Sequence, residues 1–71
     1  MEKKDELIYA LIFSDTTTYI IDLGEYVDDI YRYDDFVEEI RLILKKSKVS
    51  ILKSSVKVSI KTATWELKLK K

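Results

Sequence analysis

Residues 48–71 read KVSILKSSVKVSIKTATWELKLKK, and apolar and polar side chains alternate along most of that stretch. Trp65, Leu67 and Leu69 alternate with Glu66, Lys68 and Lys70, and Val56, Val58 and Ile60 alternate with Lys57, Ser59 and Lys61. Val49 and Ile51 alternate with Lys48, Ser50 and, after a slip at Leu52, Lys53. Successive side chains of a strand point to opposite faces, so a period of two means one buried face and one wet face. The spacing predicts three short strands whose wet face is lysine and serine.

Working back from there, the middle of the chain reads as helix with a break. Leu23, Tyr26, Ile30, Tyr33, Val37, Ile40 and Leu44 follow a 3-4-3-4 spacing that by itself suggests one long helix. Tyr26, Val27, Ile30 and Tyr31 share one face, however, while Phe36, Val37, Ile40, Ile43 and Leu44 share another about a quarter turn away. Asp22 with Glu25, and Asp35 with Glu38, each match an acidic capping box. A short helix is expected near residues 24–32 and a main helix near residues 35–46, with the break between Tyr33 and Asp35. Lys45 and Lys46 fall in the last turn, where the helix dipole favours cations. Gly24 reads as a chain-reversal residue.

Residues 1–6 are charged and read as a frayed end. Leu7–Phe13 is uniformly apolar, and its length favours a strand buried on both faces. Ser14, Asp15, Thr16 and Thr17 can turn the chain through side-chain hydrogen bonds, and Thr18–Leu23, rich in β-branched residues, would return as a second strand. The expected fold is a single α+β domain over residues 1–71 in ββα-βββ order, with a helix layer packed on a small antiparallel or mixed sheet.

Seventy-one residues give a small core; such a chain buries only about 60% of its unfolded surface. Neither Cys nor His is present to supply a disulfide or a metal staple, so a partner subunit is the expected support, and the apolar first segment the expected dimer surface. The chain also lacks Pro, Asn and Gln, and is rich in Lys, Glu and Asp. That profile is the one hyperthermophile proteins show, and a designed domain can share it. The absence of Gly, Asn and Pro from the turn segments speaks against design. The missing cysteine fits a reducing cytoplasm, which is the expected compartment. Leu7–Phe13 is too short to span a membrane, which takes roughly 20 residues. Asp5, Glu6 and the Ser14-Asp15 context argue against a secretory leader.

Catalytic chemistry is narrowed by count. Without His or Cys there is no Ser-His-Asp triad, no Cys-His pair and no usual zinc site, and one Gly cannot make a phosphate-cradling loop. The pairs Asp28-Asp29, Asp34-Asp35 and Glu38-Glu39 could hold a hard cation. Adjacent helical residues point about 100° apart, however, and a solvated helix face accounts for them better. No enzyme activity, cofactor or metal is expected.

Two charged surfaces remain. Residues 1–44 carry twelve carboxylates against four basic side chains, and residues 45–71 carry nine lysines against Glu66 alone. Asymmetry of this kind concerns partners and association. The acidic half holds the first candidate site: Glu25, Asp28, Asp29, Asp35, Glu38 and Glu39, beside Tyr26, Tyr31, Tyr33 and Phe36. Regularly spaced carboxylates can imitate a row of phosphates and occupy a basic or nucleic-acid-binding protein; the plain alternative is an acidic exterior over core tyrosines. The basic half holds the second: Lys53, Lys57, Lys61, Lys68 and Lys70, with Lys48 nearby, on a face that could meet phosphates. Arg32 and Arg41 both lie outside that half, so bidentate base reading is not expected. Lysine also blunts sheet edges. Trp65 sits on the apolar phase, in the core.

The expected function is a small protein–protein interaction module without enzymatic activity, a homodimeric regulator or inhibitor presenting the acidic, aromatic surface, from a thermophile or its mobile elements. The alternative is a nucleic-acid-binding protein that uses the lysine face. A designed or purely structural domain is third.

Overall fold

The computed structural model describes residues 2–71. Helix α1 spans Lys3–Phe13, strand β1 Thr18–Asp22, helix α2 Tyr33–Lys46, strand β2 Ser50–Val58 and strand β3 Ala63–Lys70. Two short 3-10 turns, Leu23–Glu25 and Ile30–Arg32, lie between β1 and α2. The fold is α+β, with two helices and a three-stranded antiparallel sheet in the order β1-β3-β2. Extents of 33 × 26 × 18 Å leave room for two layers, with the helices on one face of the sheet and, among the described residues, no element on the other.

The expected element order is corrected in two places. Leu7–Phe13 is not a strand and makes no hairpin with Thr18–Leu23. It is the body of α1, which reaches back through Lys3–Glu6, the residues read as a frayed end. A uniformly apolar run carries no period, so helix and strand look alike in it. Asp5 and Glu6 fill the first turn, where the helix dipole favours acids. Leu7 and Leu11, one turn apart, are buried, with Ile8 and Ile12 half-buried beside them, while Tyr9 and Phe13 pair on the solvent side. The segment therefore has one buried face, and the two-faced strand that motivated a dimer surface is gone.

The second correction concerns the last third of the chain. Two of the three expected strands are one, β2, which runs through the slip at Leu52 as a bulge between Ile51 and Lys53. A bulge absorbs one extra residue without ending the strand. Ser59–Thr62 closes the hairpin, with the Ser59 N–H donating to the Thr62 carbonyl at 2.7 Å, so Ile60 lies in the turn, fully exposed. Strand β3 matches its alternation: Ala63, Trp65, Leu67 and Leu69 are buried under the helices. The Trp65 indole N–H donates to Ser54 Oγ at 2.8 Å, which satisfies the one polar atom of the largest core side chain.

The expected short helix over residues 24–32 resolves into the two 3-10 turns. Asp22 accepts from the Gly24 N–H and Asp29 from the Tyr31 N–H, each two residues on. Such Asp side chains offer the backbone an alternative to helix. Helix α2 starts at Tyr33, so the break falls ahead of Tyr33 rather than after it. Asp35 lies inside the first turn and is no cap. Phe36, Val37, Ile40 and Leu44 bury the stripe read from the sequence. After Lys46, Ser47 and Val49 both donate to the Leu44 carbonyl, and Lys48 takes the left-handed conformation, φ 63°, that stops the helix.

Candidate functional site

The acidic surface is built by the loop from Asp22 to Arg32 and the first half of α2. Buried Leu23 and Val27 pin the loop to the core, and Tyr26 stacks on Phe36 with ring centroids 5.5 Å apart. Burial, then the charges of Glu25, Glu6 and Asp22, raise the Tyr26 phenol above the usual tyrosine range. Tyr26 is thus a neutral wall of this surface, while Tyr31 stands 89% exposed at its rim.

Four of the six acids named from the sequence come together. Asp28, Asp29, Asp35 and Glu39 line one cleft with Lys4, Tyr26 and Arg32. Glu25 lies in a neighbouring recess that also holds Asp28, Asp29 and Ile30, closed on its far side by the hairpin turn. Glu38 faces a third groove, toward Arg41, Leu42 and Lys45, away from the cleft. Glu38 and Glu39 are engaged: Glu38 accepts from Arg41 at 3.1 Å, and Glu39 is paired with Lys4. Among the described residues, Glu25, Asp28, Asp29 and Asp35 make no ion pair. Their carboxylates are solvated and turned outward.

The lysines divide differently. Strand alternation and register put Lys53, Lys57, Lys68 and Lys70 on the open face of the sheet, opposite the helices. Lys53 stands directly across from Lys68, a like-charge pair that costs stability. Glu66, two residues before Lys68 on β3 and opposite Ser55, reaches diagonally to Lys53, its Oε2 3.1 Å from Lys53 Nζ. The hydrogen bond from Lys53, then the charges of Lys53 and Lys57, hold the Glu66 carboxyl below its ordinary range. The face is basic but interrupted. Lys61 is not part of it; it lies in the hairpin turn and lines the recess of Glu25, Asp28 and Asp29. Lys48 lies in the turn after α2, beside Glu38 and Arg41.

Sequence reasoning missed two features of these surfaces. Lys4, assigned to a frayed end, pairs with Glu39 because α1 is a helix packed beside α2. Ile20 is exposed on the open sheet face, across from Glu66. The signal was present: Thr18, Ile20 and Asp22 share one strand phase, and a strand with two polar residues on that phase has that face wet.

Among the described residues no group of three or more carboxylates converges tightly enough to hold a metal ion, and no helix is long and apolar enough to cross a membrane. No family model, no curated protein and no solved structure matches this chain.

Proposed function

We propose that this chain is a small protein–protein interaction module without catalytic activity, a homodimeric regulator or inhibitor whose acidic, aromatic surface docks on a basic protein. The single observation that carries the reading is that no ion pair among the described residues joins the acidic half to the basic one. The ion pairs among the described residues are Lys4–Glu39, Arg41–Glu38 and Lys53–Glu66, each within one half. The carboxylates of Glu25, Asp28, Asp29 and Asp35 stay available beside exposed Ile30 and Tyr31. Aromatic side chains are enriched at protein interfaces, whose rims are polar. A nucleic-acid-binding protein is the partner class whose own surface would complement this one.

The test uses the whole chain and a variant carrying Asp28→Asn, Asp29→Asn and Asp35→Asn. Asn at position 29 can still accept from the Tyr31 N–H, so the loop is kept. Quantitative affinity capture from cell extract is expected to retain basic proteins on the wild type, to release them when duplex DNA is added as competitor, and to lose them on the variant. Identical capture by both forms would sink the reading.

The nucleic-acid alternative is favoured by one observation, the gathering of Lys53, Lys57, Lys68 and Lys70 on a single open face. Glu66 at the centre of that face, and the acids elsewhere, oppose phosphate. Submicromolar duplex binding near physiological salt, with a log–log salt slope close to −0.9 per phosphate neutralised, would reverse the ranking.

A further inference from the structure

We infer that the outer edge of β1 is a self-association site, where two copies of this chain pair antiparallel through Thr18–Asp22 about a two-fold axis at Ile20. This inference deepens the homodimeric part of the proposed reading and rests on it; the acidic surface plays no part in it.

Strand β1 is at one side of the sheet, with β3 as its only neighbour among the described residues. The Thr17 carbonyl accepts from the Leu69 N–H at 2.8 Å, so the backbone at position 17 faces β3. Backbone polar groups alternate sides along an antiparallel strand. Those of Tyr19 and Ile21 therefore also face β3, and those of Thr18, Ile20 and Asp22 face away. The Asp22 carbonyl accepts the first bond of the Leu23–Glu25 3-10 turn, which it caps. Outside the ladders and helices, no backbone bond among the described residues reaches the N–H or C=O of those three. Three donors and the acceptors of Thr18 and Ile20 are left in a row.

Sheet edges are normally guarded by lysine, proline or a bulge. The other edge, β2, has Lys53, Lys57 and the bulge at Leu52. Strand β1 reads TYIID, with no lysine, no proline and an unbroken register to β3. Ile20 is 72% exposed there.

The edge is complementary to itself, and this selects a second copy as the occupant. With the axis at Ile20, the two Ile20 residues exchange both of their backbone hydrogen bonds. Thr18 faces Asp22 of the second copy, so no like charges meet. Tyr19 faces Ile21 of the second copy, an aromatic–β-branched pair of the kind that stabilises sheets. The same patch serves on both copies, as a closed two-fold interface requires. The product is a six-stranded sheet in which the exposed Ile20 side chains lie side by side at the centre of the open face.

Sedimentation velocity from about 1 µM to 1 mM and amide hydrogen exchange at the upper concentration test the proposal. Ile20→Pro deletes one outward N–H that the β1–β3 ladder does not use. Ile20→Lys places a guarding charge at the axis, where two copies would oppose each other. Each is expected to weaken self-association at least about tenfold, while Leu52→Lys on the other edge leaves it unchanged. In the wild type the amides of Thr18 and Ile20 are expected to be protected alongside those of Tyr19 and Ile21. Circular dichroism checks the fold, and Ile20→Lys decides the matter if Ile20→Pro fails to fold. A wild type that stays monomeric throughout the range overturns the homodimeric reading and this edge together. A dimer that both Ile20 variants retain, with a rapidly exchanging Ile20 amide, overturns the edge alone.

Discussion

Glu66 is the only acid in the basic third of the chain, and the structure gives it a job. It stands on the open sheet face opposite Ser55 and diagonal to Lys53, where its charge offsets the repulsion of the directly opposed Lys53–Lys68 pair. Its carboxyl is held below the ordinary range by the Lys53 hydrogen bond first and by the lysine charges second. A carboxyl with a depressed folded-state pKa contributes stability above its unfolded pKa and loses that contribution as pH falls through the folded value. Urea unfolding of wild type and Glu66→Gln is therefore expected to differ at neutral pH, with the wild type more stable, and to converge in acid. A gap that widened as pH fell would contradict this. From the sequence, the phase of Glu66 among the lysines was legible. Its partner was not, because cross-strand register depends on where the bulge at Leu52 falls.

Among the elements, legibility followed periodicity. Strand β3 and helix α2 have strong periods of two and of three to four, and both lie where the pattern put them. Helix α1 was hidden because Leu7–Phe13 has apolar residues on every side, including exposed Tyr9 and Phe13, so no face stood out. The loop before α2 was misread because propensity and stripe ignore the local bonds of Asp22 and Asp29. A loop and a helix both leave those carboxylates in solvent, so their exposure did not depend on that reading. The stop of α2 holds a further expectation. Lys48 adopts φ 63°, a conformation that side-chain-bearing residues occupy at a cost and glycine does not. Lys48→Gly is expected to raise stability by about 0.5–1 kcal/mol, measured by thermal or urea unfolding. A loss of stability would mean that the Lys48 side chain makes a contribution larger than the backbone strain.

At the scale of the whole molecule, acids line the loop and the start of α2, four lysines stand on the open sheet face, and no ion pair among the described residues joins residues 1–44 to residues 45–71. Like charges within each of these groups repel, and added salt screens that repulsion. Raising ionic strength from low to moderate is accordingly expected to leave the melting temperature unchanged or to raise it. A drop of more than about 5 °C, roughly 1 kcal/mol for a domain this small, would indicate that attraction between the halves holds the fold together.

The strand at the centre of the sheet is the last to be made. Strands β1 and β2 touch β3 and not each other, so the ribosome delivers both flanks of the sheet before it delivers the piece that joins them. Until Ala63–Lys70 emerges, the nascent chain has no partner for the backbone of β1, and Leu11, Leu23, Ile40 and Leu44 have no Trp65 or Leu67 to pack against. Pairing Thr18 with Lys68 closes a loop of about 50 residues, the kind of distant contact that slows folding. The sheet can therefore close only once Ala63–Lys70 has emerged.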